Sequence, residues 1–386
     1  MSKKHSKNVL GEVDISCEER SKMARHLREQ GKKIVGYFCC LIPVEFLSAL
    51  DLVPYRIHGN IHEPITMADA HLENIMCPFA RSCFDLAIKE EYEFLDGLVV
   101  PHSCDTIQRI YDIWVACRKP EFCHFINVPH MVDASSHAFF RKELEMFVQS
   151  LERYTGQQLS LDKLNNSIQL HNRKRSLLRQ LYGLRKENPP LISGVEVMKL
   201  LIAGMVMPIE EFNDIVLSAI EEVKGRHRKG RNNQARLLLY GSEVDDIDII
   251  QCVEDCGANI VVDDICTGTR SFWEDVDTSI DPWEALTKRY LEGTHCPRTY
   301  IPQGMSRHDD LESRFGYLRH FIEEFNVSGA ILYIMKFCDT HELDAPDVRE
   351  YLHTQGIETL YLESDYTASS RAQLQTRVEA FLEMIR

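Results

Sequence analysis

The chain has 386 residues, of which 44% are hydrophobic, so it is long enough for two or three globular domains with real cores. Its formal net charge of −15 argues against a general nucleic-acid-binding protein, because contact with phosphates requires a basic face. No run of residues approaches the roughly 20 apolar positions of a membrane helix. The basic start is not followed by an apolar signal segment, so we expect a cytoplasmic protein with no membrane partner.

The first third of the chain alternates short apolar runs with helix-like segments. A polar N-terminal extension with helical character, residues 1–33, precedes four runs that have the length and composition of buried strands. These runs are IVGYFCC (34–40), LVPYRIHG (52–59), LDGLVVPHSC (95–104) and FCHFINVP (122–129). The alternation predicts a parallel sheet covered by helices on both faces, and we assign residues 34–135 to a first α/β domain.

The middle of the chain, residues 136–232, contains long segments with helical periodicity and no strand-like run. Strand–helix alternation then returns, with apolar runs at 235–242, 258–266, 329–338 and 357–366. Residues 233–386 are therefore assigned to a second α/β domain. The predicted fold class is α/β, with two parallel-sheet domains separated by a helical middle segment.

Thirteen cysteines are many for a cytoplasmic chain, and their odd number argues against a disulfide scaffold. Seven stand at predicted strand ends or directly before a proline in a loop, where an open parallel sheet binds its ligands. They are Cys39, Cys40, Cys77, Cys104, Cys266, Cys296 and Cys338. Thiolates spread over sheet edges suit an iron–sulfur cluster, whereas a catalytic thiol activated by His102 or His295 would explain only one of them. The remaining six cysteines are interpreted as structural thiols.

Five stretches of the sequence carry a family likeness: KKIVGYFCCLIPVEFLSALDLVPYRIHG, CPFARSCFDLAIKEEYEFLDGLVVPHSCDTIQRIYDIW, VVDDICTGTRSFW, ILYIMKFCDTHELDAPDVREYL and ESDYTASSRAQLQTRVEAFLEM. In this order they resemble the 2-hydroxyacyl-CoA dehydratase and benzoyl-CoA reductase superfamily over about residues 30–386. The resemblance implies two flavodoxin-like domains and an oxygen-sensitive 4Fe-4S cluster. It also implies an acyl-CoA-type substrate, an ATP-dependent iron–sulfur activator protein, and a hetero- or homodimer with a related subunit.

The same resemblance implies which cysteines bind the cluster. In that superfamily three cysteines hold the 4Fe-4S cubane, and they correspond to Cys77, Cys104 and Cys338. Further cysteines, at Cys39 or Cys40, at Cys266 and at Cys296, are similar to the ligands of the double-cubane-cluster reductases. In that branch six cysteines hold two sulfide-bridged cubanes, an 8Fe-9S cluster.

The implied reaction is the elimination of water from a 2-hydroxyacyl-CoA through a ketyl radical. Reduction of benzoyl-CoA and ATP-dependent reduction of small molecules are the alternatives within the superfamily. An alternative of another class is a non-catalytic subunit that carries a cluster, or only the fold, and supports a catalytic partner.

Three residues outside the cysteine set are further candidates. Glu45 begins a predicted helix near the first strand end, where it either complements the helix dipole or acts as a catalytic acid or base. Arg270 belongs to the strand-to-helix turn CTGTR and is a candidate for contact with a phosphate or thioester. Lys336 lies two residues before Cys338, and a cation there would stabilise a reduced cluster.

Overall fold

A computed structural model describes residues 9–13, 15–226, 234–300 and 306–385. Two N-terminal helices, α1 (Val9–Glu12) and α2 (Cys17–Glu29), precede the first strand. The boundary predicted between the helical segment and the second α/β domain, after residue 232, lies outside the described residues. None of the helices in these ranges is long and apolar enough to cross a bilayer.

The first α/β domain is built on a four-stranded parallel sheet. Its strands are β1 (Lys33–Tyr37), β2 (Leu52–Arg56), β3 (Gly97–Pro101) and β4 (Phe122–Ile126), in the order β2-β1-β3-β4. The helices α3 (Val44–Ala49), α4 (Pro78–Ile88) and α5 (Asp105–Arg118) connect them, and a short 3-10 helix (Ala68–Ala70) precedes α4. All five residues of β3 are buried, as expected for a central strand that is covered on both faces.

The middle segment consists of α6 (Ala134–Thr155), α7 (Leu161–Gly183), α8 (Gly194–Ala203) and α9 (Ile209–Lys224). Its helices divide between the two sheets instead of forming a separate bundle. Helix α6 buries its apolar face in the core of the first sheet, whereas α8 and α9 pack into the core of the second. Helix α7 joins both cores, because Leu164 and Ile168 belong to the first and Leu178 and Leu181 to the second.

The second α/β domain repeats the topology of the first. Its parallel strands are β5 (Arg236–Gly241), β6 (Asn259–Asp264), β7 (Gly329–Met335) and β8 (Thr359–Ser364), in the order β6-β5-β7-β8. Its helices are α10 (Asp248–Asp255), α11 (Thr269–Phe272), α12 (Pro282–Leu291), α13 (Arg307–Phe325), α14 (Asp339–Thr354) and α15 (Arg371–Met384), with a 3-10 helix (Ala368–Ser370) before α15. Two parallel sheets with this strand order confirm the predicted α/β class and are consistent with two flavodoxin-like domains.

The strand ends differ from the prediction in one respect that matters for the site. Cysteines expected to be the last residues of strands lie instead two or three residues beyond them, in turns. Strand β1 stops at Tyr37, and Cys39 has a positive φ of 63°, which no strand residue adopts. Phe337, two residues beyond β7, has a comparable φ of 60°. The turns after β1 and β7 therefore redirect the chain sharply just where the cysteines stand.

Both sheets present their ligand-binding edge to the same region. In this topology the crevice opens where the strand order reverses, outside the carboxyl ends of β1 and β3 and of β5 and β7. Contacts across the two domains hold these edges together. Arg56, the last residue of β2, pairs with Glu243 after β5 at 2.6 Å, and the Gly59 N–H donates to Asp245 at 2.9 Å. The two crevices consequently face each other.

Candidate functional site

A cavity of about 90 Å³ lies between the carboxyl ends of the two sheets and carries six cysteines on its wall. They are Cys39, Cys77, Cys104, Cys266, Cys296 and Cys338. The structure thus brings together the six cysteines named as metal ligands, although they are spread over 300 positions of the chain. Cys40, which was considered beside Cys39, lines a neighbouring cavity beneath the same turn.

Three of the six cysteines occupy the same local position, the residue that caps the N-terminus of a helix. Cys77 caps α4, Cys104 caps α5 and Cys338 caps α14. Nearby backbone N–H groups of the first helical turn oppose the effect of burial and act to lower the pKa of each of these thiols. Because these N–H groups have no partner within the helix and carry partial positive charge, the arrangement stabilises negative charge on the sulfur atoms.

The other three cysteines come from the turns after β1 and β6 and from the loop before Pro297. The Cys40 thiol connects two of them across the domains. The Cys40 thiol, whose single hydrogen serves both neighbours, lowers the pKa of Cys39 to about 6 and also lowers the pKa of Cys266. Three thiols thereby form a continuous contact between the first and the second sheet.

The remaining thiols hold their protons firmly in the metal-free protein. Burial raises the pKa of Cys104 to about 12 and that of Cys338 to about 11. Burial also raises the pKa of Cys77 and Cys296 well above the ordinary value. A metal would therefore have to displace these protons on binding, as it does at structural thiolate sites.

Cationic side chains surround the thiols. Arg298 is only 6% exposed, and its guanidinium donates to the carbonyl oxygens of Val128 and Pro129 at 2.8 and 2.9 Å. Its Nε has no hydrogen-bond partner, and no carboxylate pairs with it among the residues that the structure describes. One oxygen of Glu243, on the cavity wall, is likewise unpartnered, and burial raises the pKa of this carboxyl to about 8.

Arg270, predicted to contact an anionic group, is fully packed inside the second domain. Its Nε donates to Asp264 at 2.8 Å, and its Nη1 lies 3.8 Å from the Sγ of Cys266. The structure therefore places this cation beside a cavity cysteine and not in an open turn. Lys336 is exposed, rests over the ring of Phe337 and does not line the cavity, so its effect on a cluster stays a prediction.

Glu45 is completely buried behind the cavity, in the first turn of α3. Arg175 forms an ion pair with its carboxylate, and the Tyr290 hydroxyl donates to it at 2.7 Å. Burial alone would raise the pKa of Glu45, but the charges of Arg175 and His171 and the hydrogen bonds from Arg175 and Tyr290 together outweigh it, so that the pKa falls to about 2. A catalytic role stays a prediction, and this environment supplies no argument for it, because such a carboxylate does not take up a proton near neutral pH.

Three residues of the site escaped the sequence analysis: Glu243, Arg298 and His341. Glu243 follows a strand end and could have been found by the rule that located the cysteines. His341 lies three residues after Cys338, a spacing that places both side chains on the same side of a helix start. Nothing in the sequence predicts which groups the Arg298 side chain contacts, because its carbonyl partners lie about 170 residues away.

The chemistry of the donor set fits an iron–sulfur cluster. Among the described residues, no three His, Cys, Asp or Glu side chains converge closely enough to bind one metal ion. The six thiols stand instead around an intervening space, and sulfur is the ligand that iron–sulfur clusters require. His102 and His295 make ring contacts with His130 and Tyr317, and no hydrogen bond joins either of them to a cavity thiol in the described structure.

Comparison with known proteins identifies the family. The profile of the family described as "2-hydroxyglutaryl-CoA dehydratase, D-component" matches residues 39–385. The chain belongs to this family. A similar protein is YjiM of Escherichia coli (strain K12), whose assignment as a dehydratase subunit is provisional, with 27% identity over 93% of both chains.

Two further relatives broaden the chemistry within the family. One of the subunits of benzoyl-CoA reductase from Thauera aromatica is 26% identical over 82% of both chains. The beta subunit of (R)-2-hydroxyglutaryl-CoA dehydratase from Acidaminococcus fermentans is 22% identical over 96% of this chain and 97% of its own. The family thus contains subunits of dehydratases and of a reductase, and this chain is a subunit of that enzyme type.

Proposed function

We propose that this chain is the iron–sulfur subunit of an ATP-dependent, low-potential reductase of the double-cubane type. One observation carries the proposal: all six candidate ligand cysteines line a single cavity at the switch points of both sheets. Three capping cysteines would hold one half of the cluster, and Cys39, Cys266 and Cys296 would hold the other. When bound, such a cluster supplies single electrons of low potential to a substrate.

The residues around the cavity support this assignment. Three of the cysteines stand at helix N-termini, and Arg298 brings a buried cation without a carboxylate partner among the described residues. Both features stabilise negative charge, and thiolate-bound clusters are negative. The apolar wall, which includes Phe38, Phe79 and Met335, lowers the local dielectric and excludes water from the sulfur atoms.

A second candidate function is the elimination of water from a 2-hydroxyacyl-CoA. The names of several relatives favour it, since they include the beta subunits of (R)-phenyllactyl-CoA and lactoyl-CoA dehydratases. That reaction would use only the cubane held by Cys77, Cys104 and Cys338. It would give the other three cavity cysteines no role in binding a cluster. In both cases we propose that an ATP-dependent iron–sulfur activator donates the electron and that a second subunit, or a second copy of this chain, completes the enzyme.

The first experiment is the measurement of iron and sulfide per chain after anaerobic purification. About eight irons support the double cubane, and about four support a single cubane. A protein that contains zinc and no iron would overturn the cluster proposal.

Paired substitutions then test the sorting of the cysteines. Cys104→Ala should lose a large part of the iron, whereas Cys252→Ala, at a buried thiol on α10, should retain all of it. Equal loss in both variants would show that iron content reports folding and not ligation. The activator, ATP and a chemical reductant should then drive reduction of small-molecule electron acceptors, while formation of enoyl-CoA from a 2-hydroxyacyl-CoA would favour the second candidate.

A further inference from the structure

His341 makes two hydrogen bonds that together determine where its proton lies. It is the third residue of α14 and is 3% exposed. Its Nε2 lies 2.8 Å from the Nη1 of Arg270, and its Nδ1 lies 3.3 Å from the Sγ of Cys338. The hydroxyl of Thr340 lies at 3.3 Å from the same Nδ1.

The guanidinium fixes the tautomer of the imidazole. Arginine has no acceptor and does not lose its proton in proteins, so Arg270 donates and Nε2 of His341 must accept. In the neutral ring the hydrogen then resides on Nδ1. The hydrogen on Nδ1 therefore faces two acceptors at 3.3 Å, the sulfur of Cys338 and the hydroxyl oxygen of Thr340.

Arg270 is itself held in one orientation. Asp264 accepts from its Nε at 2.8 Å and from its Nη2 at 3.1 Å, and the carbonyl oxygen of Gly241 accepts from Nη1 at 2.8 Å. The Tyr317 hydroxyl donates to Asp264 at 2.7 Å and prevents that carboxylate from rotating. The guanidinium is 3% exposed and has no freedom to turn toward solvent.

The same guanidinium reaches a second cavity cysteine. Its Nη1 lies 3.8 Å from the Sγ of Cys266, within reach of a weak hydrogen bond to sulfur. Arg270 thus contacts one cysteine directly and a second one, Cys338, through His341. Cys338 belongs to the group of three that cap helices, and Cys266 to the other group, so a single cation connects both groups.

We propose that Arg270 and His341 are positioning residues that direct hydrogen bonds to the sulfur ligands Cys266 and Cys338 and thereby raise the reduction potential of the bound cluster. The inference rests on the proposed function, because it requires a cluster in the cavity. A hydrogen bond to a ligand sulfur stabilises the added electron, and outer contacts of this kind are among the means by which proteins adjust iron–sulfur potentials.

The test uses two replacements of His341 in the full-length protein. His341→Phe keeps the ring volume and removes the donor, whereas His341→Asn places an amide N–H near the position of Nδ1. The readouts are iron per chain and the midpoint potential from an electron-paramagnetic-resonance redox titration under anaerobic conditions. Neither readout depends on turnover.

His341→Phe should retain the iron of the wild type and make reduction about tenfold less favourable, a lowering of about 59 mV for one electron. His341→Asn should recover most of that shift. Arg270→Lys keeps the charge beside Asp264 but does not span both His341 and Cys266, so its potential should also fall below that of the wild type.

Wild-type potentials in His341→Phe and Arg270→Lys, at full iron content, would overturn the inference while leaving the proposed function intact. If His341→Phe fails to hold iron, His341→Asn must recover both iron and potential, and equal failure of the two variants overturns the inference as well. Absence of iron from the wild-type protein would instead refute the proposed function, and the inference with it.

Discussion

Replacement of Glu45 by glutamine tests whether this buried carboxylate is structural or catalytic. Glu45 has no exposed surface, and its partners Arg175 and Tyr290 lie on α7 and α12. Glutamine keeps the size of the side chain but removes its charge, so the guanidinium of Arg175, itself 4% exposed, loses its only carboxylate partner in the described structure. Breaking one side of a buried ion pair is strongly destabilising.

The size of the expected loss in stability follows from the pKa of Glu45. The fold lowers the pKa of Glu45 from 4.5 to about 2, which corresponds to roughly 3 kcal/mol of stability at neutral pH. The loss expected from stranding a buried charge is of the same size, about 3–5 kcal/mol. Because the folded-state pKa is depressed, this stability is fully present above pH 4.5 and is lost as the pH falls toward 2.

The assay is guanidinium unfolding of the anaerobically purified protein, followed by circular dichroism. Glu45→Gln should lower the unfolding free energy by roughly 3 kcal/mol, and its stability should vary less between pH 5 and pH 3 than that of the wild type. The matched control is Glu284→Gln, an exposed glutamate in the first turn of α12, which should change stability by less than about 0.5 kcal/mol.

A double replacement separates charge from packing. Glu45→Gln combined with Arg175→Met removes both charges, and it should cost less than Glu45→Gln alone because no buried charge is left without a partner. If Glu45→Gln is as stable as Glu284→Gln but loses enzymatic activity, the structural interpretation is refuted and the acid–base role gains support.

Two further changes have outcomes that the structure determines. Gly241→Ala should destabilise the protein by about 3 kcal/mol or abolish folding, because the added Cβ would overlap the backbone oxygen of Tyr333 on β7. As its control, Gly183→Ala on α7, where nothing lies within 4 Å of the added Cβ, should stabilise the protein by about 0.5–1 kcal/mol in the same unfolding assay. Burial and the nearby Arg175 lower the pKa of Lys174 from 10.5 to about 8, so its charge destabilises the fold at neutral pH and this cost disappears as the pH rises from 8 to 10.5. Lys174→Met in the metal-free protein should therefore stabilise by roughly 2 kcal/mol at pH 7 and by much less at pH 10.5; an equal gain at both values would contradict this account.

The elements of this fold were readable from the sequence because parallel strands buried on both faces are nearly continuous apolar runs. Each of the eight runs overlaps an observed strand. The ends of the strands were harder to predict, because IVGYFCC is apolar to its end whereas the pairing of β1 with β2 stops at Tyr37. The turn that follows depends on the positive φ of Cys39, and no local residue preference signals it.

The sheet topology was enough to predict that the cysteines converge. It was not enough to predict which residues pair with single charged side chains. A strand-end rule applies to every parallel sheet, so it located Cys104 and Cys338 without knowledge of any contact. Glu45, in contrast, is paired with residues 130 and 245 positions away, and Arg56 with a residue 187 positions away. Such pairs depend on how the two domains pack, and local periodicity carries no information about that.

The charges near the cavity bear on the size of the cluster. Lys174, Arg289 and Arg298 are buried or partly buried, and none of them has a carboxylate partner among the described residues. Burying a cation without compensation costs several kcal/mol, so the metal-free protein carries an excess of positive charge that a negative group would neutralise. A cluster held by six thiolates is more negative than one held by three. As thiolates, Cys296, Cys39 and Cys104 would all attract the positive charge of Arg298. We propose that these cations compensate part of the negative charge of a bound cluster, and a cluster held by six thiolates would use more of this compensation than one held by three.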